Sequence, residues 1–481
     1  MTVRQRSILA PERFRPRRNA CIELTDCTTT RIPVSEILAV PDARDPQPLE
    51  ARLAEQFLRQ NRGVLDSLGV ASLLSYDGRS VAVRLESSTT VGAIPLQSPT
   101  SGQNDYGLIV RPRFGWAGIG SMLGQMGWRV LPTPLRLPML PTSERRVPPW
   151  VLSTIVLFRV EALLKQLSRS FDYVEADAPA PRGTINWESY SRERIPFGRL
   201  ADVPCRYPEL QTNRTLRAAI HFVLLKQHAS LDGQRSASSA VVELLAKCES
   251  LLSLVRDVPP RPPRDADIVH WLNGPLRART VTDGVEALQW TVDDRGLAGL
   301  ADLAGLPWAL PMETFFEGWV ETVASQIARR SGGRVRSGRE RATLAPLAWE
   351  PPFVGSQRYL LPDVVLERPA HTIVFDAKYK EHFEELNEHR WFELRDDLQE
   401  RHRDDLLQVL AYSTLYPSER VTCCLAYPCR PDTWDALRER GRVAHRASVG
   451  VEGRSVTLVL CAMPMGRPVA DVVDEIEPLL R

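Results

Sequence analysis

Apolar residues recur at helical spacing in several long stretches of the chain and follow strand-like patterns in shorter ones. Residues 45–65 place Leu49, Leu53, Phe57 and Leu58 on one face, which predicts an amphipathic helix. Apolar runs bounded by Gly, Ser, Thr and Asn follow, and these predict strands over 80–86, 91–96 and 105–114. Residues 1–135 are therefore expected to form a mixed α+β amino-terminal domain.

A different pattern follows the proline-rich connection near 130–149. Apolar residues lie at helical spacing over 151–171, 213–229 and 236–255, and the prolines of 258–265 interrupt them as an exposed loop. We expect residues 136–305 to form a mainly helical middle domain.

The last part of the chain alternates helical and strand-like patterns. Residues 311–333 predict an amphipathic helix that ends at paired glycines, and residues 403–416 predict a second helix. Strands are predicted at 342–350, 359–367, 372–380, 420–428 and 455–464. This order predicts an α/β domain over 306–481, and the chain as a whole is expected to be a multi-domain α/β protein.

Composition narrows the class of protein. With 481 residues the chain is too long for one core, and 43% hydrophobic with 25% charged residues is ordinary for a globular protein. No apolar run reaches the length of about 18 residues that a membrane span needs, and the basic amino terminus lacks the apolar stretch of a secretory signal. The eight cysteines show no C-x-x-C spacing. We expect a cytoplasmic protein that has no membrane segment.

Two features of the sequence bear on phosphate binding. No G-x-x-x-x-G-K-[ST] motif occurs, so the sequence shows no evident nucleotide-hydrolysing site. Of the 61 basic residues only five are lysines, and two of these lie within the single stretch DAKYK, residues 376–380. Lysine holds phosphate as a point charge, and Lys380 is expected to contact phosphate or solvent.

Two apolar runs near this stretch carry the candidate chemistry. Asp363 lies on the first run and Asp376 on the next, so adjacent strands would bring both carboxylates to one divalent cation such as Mg²⁺. Strand alternation puts Lys378 on the same face as Asp376, and leaves the backbone carbonyl of Ala377 available as a further ligand. Two carboxylates and a lysine at one point are the minimum that metal-assisted phosphodiester hydrolysis requires.

The residues Pro362-Asp363 and Asp376-Ala377-Lys378 resemble the motif of the PD-(D/E)xK nuclease superfamily, the fold of many restriction endonucleases. The resemblance implies that Asp363 and Asp376 bind Mg²⁺ or Mn²⁺ and that Lys378 positions or activates the attacking water. Members often carry an extra Glu on the first helix and a Gln or Lys on a later one, and Glu317 and Gln408 occupy those places.

A narrower resemblance covers the chain from about residue 91 onward. The blocks 312–320, 360–367, 375–380 and 404–412 are similar in order to McrC, the nuclease subunit of the McrBC modification-dependent restriction systems. Residues 106–123, 181–187 and 205–220 resemble the family's upstream segments, with Arg111-Pro112-Arg113 standing where a Pro-Lys pair is usual. The resemblance implies a DNA endonuclease that works with McrB, a hexameric AAA+ GTPase, which the amino-terminal part engages and which reads the modified base.

Alternatives stay open at this point. The chain could be a stand-alone nuclease of the same fold, acting in DNA repair or in a mobile element, or a non-cutting subunit that stimulates a motor. Glu317 and Gln408 could lie on ordinary helix faces, and His382, His389 and His402 are expected in a solvated loop rather than in a metal cluster. Arginines at 329–341 are candidates for DNA-backbone contact. The tryptophans at 116, 128, 150, 187 and 319 are expected in the core.

Overall fold

The computed structural model describes twelve stretches of the chain, and all structural statements below refer to them. They are residues 21–37, 47–77, 80–115, 119–137, 149–167, 172–209, 214–236, 239–273, 278–297, 305–380, 396–451 and 454–480. The chain forms two compact units, one of Met1–Pro149, Ser238–Ala240 and Gly296–Arg481, and one of Trp150–Ala237 and Val241–Arg295. The first and last thirds of the sequence thus share one unit, while the existence of three separately folding domains stays a prediction.

The amino-terminal part of the first unit contains short strands around one long helix. Its strands are β1 (Cys21–Thr25), β2 (Thr29–Pro33), β3 (Val70–Asp77), β4 (Ser80–Ser87), β5 (Thr90–Leu96), β6 (Tyr106–Arg111) and β7 (Thr133–Pro134). Its helices are α1 (Val34–Ile37), α2 (Gln47–Asp66) and α3 (Ile119–Gln125). The predicted helix is confirmed as α2, whose residues Phe57 and Leu65 are buried against the strands.

The second unit is mainly helical. Its elements are α4 (Trp150–Leu167), β8 (Asp172–Ala178), β9 (Thr184–Ile185), α5 (Trp187–Ser189), β10 (Val203–Glu209), α6 (Arg214–Asp232), most of α7 (Ser239–Ser253), α8 (Asp265–Asn273) and α9 (Arg279–Val292). Helices α4 and α9 approach closely at Gly284, where a Cβ atom would lie 2.7 Å from the Leu163 side chain. One expectation is wrong: Trp187 is 66% exposed, because it lies in a short surface helix rather than on the apolar face of a long one.

The remainder of the first unit alternates helices and strands. Its elements are β11 (Gly296–Leu297), β12 (Gly305–Leu306), β13 (Trp308–Pro311), α10 (Met312–Ser331), β14 (Arg334–Ser337), β15 (Ala345–Pro346), β16 (Tyr359–Leu360), β17 (Val364–Arg368), β18 (His371–Ala377), α11 (Asp396–Ser413), β19 (Arg420–Cys429), α12 (Pro431–Glu439), β20 (Ala444–Val451), β21 (Arg454–Pro464) and α13 (Val469–Ile476). The mixed α/β class predicted for this part is confirmed.

A six-stranded mixed sheet in this region carries the candidate site. Its order is β14-β17-β18-β19-β21-β20. The pairing is antiparallel between β17 and β18, parallel across β18, β19 and β21, and antiparallel again at both edges. The central strands are almost wholly buried, as expected for strands covered on both faces.

The amino-terminal and carboxyl-terminal parts of the first unit share a second sheet, of order β1-β6-β5-β13-β7. Strand β13, which leads directly into α10, pairs with β5, so that Trp308 lies opposite Ala93. A Cβ atom at Gly92 would lie 2.1 Å from the Trp308 carbonyl oxygen, and Gly92 also has a φ of +155°, so this close strand approach requires glycine. Within the described stretches no helix is long and apolar enough to cross a membrane.

Candidate active site

Asp363 and Asp376 lie side by side at the neighbouring ends of strands β17 and β18. The antiparallel register pairs Val364 with Phe375, and its continuation by one residue brings Asp363 opposite Asp376. The backbone N–H of Ala377 donates a hydrogen bond to Asp363 Oδ2 at 2.7 Å, which joins the two strand ends. The structure thus brings together the two carboxylates that the sequence predicts as a pair.

The predicted strand over 359–367 is interrupted at residues 361–363. Strands β16 and β17 leave Leu361, Pro362 and Asp363 outside regular structure, and a nearby turn holds the interruption in place. The Thr343 hydroxyl donates to the Pro362 carbonyl at 2.5 Å, and the Gly338 N–H donates to the Asp363 carbonyl at 2.7 Å. The position of Asp363 is therefore fixed by its main chain, independently of any ligand.

The two carboxylates resist ionisation in this structure. Burial raises the pKa of Asp363 well above its ordinary value, and the negative charges of Asp376 and Glu317 raise it further. Burial also raises the pKa of Asp376, which is 1% exposed, although the cation of Lys378 opposes this effect. A pair of acids held together with raised pKa values is a site that gains stability from a cation.

Lys378, the residue directly after β18, lies beside the two carboxylates. Its Nζ atom lies 2.9 Å from Asp376 Oδ2, in an ion pair, and donates a hydrogen bond to Gln408 Oε1 at 2.8 Å. Burial would lower the pKa of Lys378, but the nearby carboxylates of Asp376, Asp363 and Asp405 together outweigh it, and the pKa is raised. The lysine is therefore a fixed ammonium group at ordinary pH.

Gln408 reaches the site from helix α11. Its Nε2 atom donates to the Tyr412 hydroxyl at 2.8 Å, so the amide is oriented with its oxygen towards Lys378. Tyr412 is buried between the helix and the sheet. The structure thus places Gln408 beside the lysine, as the comparison of helix positions predicts, and its role in chemistry stays a prediction.

Glu317 lies on the face of α10 that packs towards the sheet. It is half-buried, and burial raises the pKa of its carboxyl, with Glu313 and Asp376 adding to the effect and Arg339 and Lys378 opposing it. Across the described stretches, no set of three His, Cys, Asp or Glu side chains converges closely enough to hold a metal ion. A direct bond from Glu317 to a metal therefore stays a prediction.

Two residues near the site have roles that differ from those expected. Lys380 was expected to contact phosphate or solvent, but its Nζ atom binds the buried carboxylate of Asp405 at 2.8 and 3.0 Å. The Tyr427 hydroxyl donates to the same carboxylate at 3.1 Å. The expectation that His402 lies in a solvated loop is wrong, because His402 is buried on helix α11 beside Tyr427. The spacing of positions 405, 408 and 412, which share one helix face, is the sequence signal that could have identified this stripe.

The arginine-rich stretch 329–341 divides into structural and exposed members. Arg339 binds Glu321, a buried carboxylate one turn after Glu317, with Nη2 2.9 Å from Oε2. The Ser337 hydroxyl and Arg129 also bind Glu321, while Arg336 pairs with Glu367. Contact with DNA stays a prediction for the exposed members, which are Arg329, Arg330, Arg334 and Arg341; Arg330 also pairs with Asp474. His382, His389 and Trp116 lie outside the described residues.

The residues present fit a hard divalent cation. Asp376 Oδ2 is buried and receives no hydrogen bond of good geometry in this structure, although it forms the ion pair with Lys378. Mg²⁺ is commonly bound through one or two carboxylates, with water and phosphate oxygens filling its other positions. Asp363 and Asp376 match that donor set, and the Ala377 carbonyl stays a predicted third ligand.

A family model matches the part of the chain that carries the site. Residues 304–428, which span α10, the carboxylate pair, Lys378 and α11, match the family model described as the McrBC 5-methylcytosine restriction system component. Comparison with curated proteins gives no match. One similar solved structure is the refined half-complex from a tetradecameric assembly of Thermococcus gammatolerans McrB AAA+ hexamers with bound McrC, with 13% identity, a TM-score of 0.41, and coverage of 95% of this chain and 100% of that chain.

A second similar structure is the Thermococcus gammatolerans McrBC complex, with 14% identity, a TM-score of 0.24, and coverage of 64% of this chain and 88% of that chain. The similarity of this chain to McrC is therefore based on the family match over residues 304–428. The site belongs to an α/β domain with a carboxylate pair and a lysine at one end of a mixed sheet. Residues 304–428 match the model of the McrBC family, and this match supports the McrC-like character predicted from the sequence.

Proposed function

We propose that this chain is the nuclease subunit of a McrBC-type restriction system and hydrolyses DNA phosphodiesters with Mg²⁺ or Mn²⁺. One observation carries the proposal: Asp363 and Asp376 lie together at the ends of two paired strands, with the Lys378 ammonium 2.9 Å from Asp376. The six-stranded mixed sheet with helices α10 and α11 supports a PD-(D/E)xK type of domain. The family match over the same residues supports a restriction role.

The chain's own groups suit this reaction. Asp363 and Asp376 would hold the cation, which when bound supplies a Lewis acid for the negative charge that develops on the phosphate. Gln408 holds the Lys378 ammonium at a fixed point beside the pair, where it can orient a water molecule or stabilise negative charge. Asp376 is buried and Asp363 is partly buried, and the low local dielectric strengthens both interactions.

The proposed partner is a McrB-like AAA+ GTPase hexamer. The sequence has no G-x-x-x-x-G-K-[ST] phosphate-binding loop, and residues 304–428 match the family model described as the McrBC 5-methylcytosine restriction system component. A chain of this kind would cut DNA that a separate motor selects and moves. The amino-terminal part is proposed to contact that motor.

Cleavage assays with the full chain test the proposal. The chain is purified with AAA+ proteins encoded beside its gene, and supercoiled DNA with and without methylated cytosine is incubated with GTP or ATP, in Mg²⁺ or in EDTA. We expect cleavage of methylated DNA that requires both the nucleotide and Mg²⁺. Asp376→Asn and Lys378→Ala should each lower the rate at least about 100-fold, because they remove metal binding or charge stabilisation worth several kcal/mol.

Other outcomes identify the alternatives. Cleavage that needs Mg²⁺ but no AAA+ protein would indicate a stand-alone nuclease. Stimulation of the partner's nucleotide hydrolysis, without cleavage by wild type under any of these conditions, would indicate a non-cutting subunit. Equal cleavage by wild type and Asp376→Asn would disprove the assignment of the site.

A further inference from the structure

Tyr379, the residue between the two lysines of DAKYK, connects the candidate site to the amino-terminal part of the same compact unit. Its side chain is 4% exposed. Arg113, which follows strand β6, donates a hydrogen bond from Nη2 to the Tyr379 carbonyl oxygen at 2.7 Å. The guanidinium carbon of Arg113 also lies 4.8 Å from the centre of the Tyr379 ring. One arginine therefore binds both the main chain and the ring of the residue next to Lys378.

Arg113 is held in turn by a buried carboxylate. Asp26, in the turn between β1 and β2, is fully buried, and its Oδ1 atom accepts a hydrogen bond from the Arg113 backbone N–H at 2.6 Å. The Asp26 backbone N–H donates to the Arg111 carbonyl at 2.8 Å. The Tyr379 hydroxyl lies near the Asp26 carboxylate: burial raises the pKa of Tyr379, and the charge of Asp26 raises it further.

The ring of Tyr379 packs against aromatic residues from two separate parts of the chain. Phe114 meets it edge-on, with ring centres 5.5 Å apart, and Phe316 of helix α10 lies 6.3 Å away. Phe316 directly precedes Glu317 in the sequence. The contacts of Tyr379 thus join the amino-terminal loops to the end of β18 and to the helix that carries Glu317.

These contacts restrain the lysine through its main chain. The Lys378 backbone N–H donates to the Ala426 carbonyl at 2.9 Å, which fixes the residue on the side of strand β19. The bond from Arg113 fixes the next carbonyl in the chain, at Tyr379. Charged donors form stronger hydrogen bonds than neutral ones, and a buried charge needs such partners.

We propose that Arg113 and Asp26 are positioning residues for Lys378, so that docking of the amino-terminal part on the DAKYK stretch assembles the nuclease site. The inference rests on the proposed nuclease function and extends it to residues far outside the family-matched segment. Neither residue contacts the reacting atoms. Their effect passes through Tyr379 to the orientation of the lysine.

Three variants of the full chain test this inference. Arg113→Ala removes the bond to the Tyr379 carbonyl, and Arg113→Lys keeps a charged donor. Tyr379→Phe keeps the ring and the main chain, and removes the hydroxyl beside Asp26. Arg111→Ala is the matched control, because Arg111 lies two positions away and its side chain pairs with Glu23 at a partly exposed position.

Two measurements are made on each variant. Hydrogen–deuterium exchange reports the main chain of residues 373–380, and does not depend on any nuclease activity. Single-turnover cleavage under the conditions that activate wild type gives the rate of the chemical step, and DNA affinity is measured separately in Ca²⁺. We expect Arg113→Ala to exchange faster at 376–380 and to cleave about 10- to 100-fold more slowly at unchanged DNA affinity, because small misplacements of catalytic groups are costly.

Arg113→Lys should recover part of this loss, Tyr379→Phe should show a smaller loss of the same kind, and Arg111→Ala should behave as wild type. Faster exchange at 376–380 with an unchanged cleavage rate in Arg113→Ala would overturn the positioning role, as would unchanged exchange. If Arg113→Ala unfolds, Arg113→Lys and Tyr379→Phe decide: wild-type exchange and cleavage in both would overturn the inference. If wild type does not cleave, the proposed function fails by itself, and the exchange data still decide whether Arg113 restrains the lysine.

Discussion

The Lys378 ammonium donates a hydrogen bond to the Gln408 amide oxygen at 2.8 Å, so a helix thirty residues later in the chain orients the lysine that follows strand β18. Its nitrogen donates to the Tyr412 hydroxyl, and reversing the amide would turn this NH₂ group towards the ammonium, which would lose its acceptor. The lysine is thus held by an ion pair with Asp376 and a hydrogen bond to Gln408, and separate elements set the positions of these two residues.

Replacing Gln408 by methionine tests this relationship. We expect the cleavage rate to fall about 10- to 100-fold, because a hydrogen bond to a charged group contributes about 1.5–3 kcal/mol. Mg²⁺ affinity should be unchanged, since the carboxylates are untouched. Single-turnover assays and calorimetric titration measure the two quantities. Leu407→Ala, a change at an exposed neighbour, is the control, and a wild-type rate in Gln408→Met would contradict the role given to the amide.

Glu321 and Glu317 are one helical turn apart, and the contacts of Glu321 indicate that it stabilises the fold. Glu321 is buried and binds Arg339, Ser337 and Arg129. Glu321→Ala should reduce the free energy of unfolding by about 1–3 kcal/mol, because the buried Ser337 hydroxyl and the partly buried Arg339 lose the acceptor that they share. Urea denaturation measures the change. Glu313→Ala, on an exposed face of the same helix, should alter stability by less than about 0.5 kcal/mol. Similar small losses in both variants would show that the buried cluster does not stabilise the fold.

The raised pKa of Asp363 predicts how metal binding depends on pH. Burial and the charges of Asp376 and Glu317 favour the protonated acid, so protons compete with Mg²⁺ to a higher pH than at an ordinary aspartate. Mg²⁺ affinity should therefore rise with pH until Asp363 is ionised. Since the folded pKa lies above the unfolded one, the stability that this group contributes to the metal-free protein is present at low pH and is lost as pH rises through the folded value.

Calorimetric Mg²⁺ titrations at a series of pH values, paired with thermal unfolding in EDTA, check both statements. Asp363→Asn keeps an acceptor for the Ala377 N–H but has no charge, so it should bind Mg²⁺ weakly at every pH and lose the associated pH dependence of unfolding. An affinity that stays constant across the range where Asp363 ionises would count against its assignment as a ligand.

Gly338 permits a close approach that sets the position of Asp363. A Cβ atom at this residue would lie 2.6 Å from the Pro362 carbonyl oxygen and 3.1 Å from that of Asp363. Gly338→Ala should displace the Asp363 main chain and weaken Mg²⁺ binding about tenfold or more, corresponding to about 1.4 kcal/mol. Gly450→Ala is the matched control, because a Cβ atom there meets nothing within 4 Å. Calorimetric titration of both variants gives the comparison, and equal affinities would show that the turn tolerates the added atom.

The sequence predicts the carboxylate pair because apolar strand patterns that follow one another with a short turn are usually neighbours in a sheet. Helices α2, α4, α6, α7 and α10 are predicted for a similar reason, since their apolar spacing is long and regular. The strand expected at 342–350 reduces to Ala345–Pro346, where proline limits the ladder. The strand predicted over 372–380 ends at Ala377 in the structure, so Lys378 lies just past the end of β18.

The partners of Tyr379 could not be predicted from local patterns. Arg113 and Tyr379 are separated by 266 positions, and neither a helical nor a strand period relates residues at that distance. The same applies to Arg129 and Glu321, which are 192 positions apart. A charged residue gives no sign in the sequence that it will be buried, since most aspartates and glutamates are exposed. Coordinates are needed to show that Asp26 and Glu321 are exceptions.

The hydrogen bond from the Ala377 N–H to Asp363 has a consequence for sequence variation among relatives of this domain. The middle position of the D-A-K tripeptide acts through its main-chain amide, and alanine contributes no polar side-chain atom. Small residues such as serine should be interchangeable with alanine here. Proline, which has no amide hydrogen, would uncouple the two acidic strand ends even though the aspartates and the lysine were all retained.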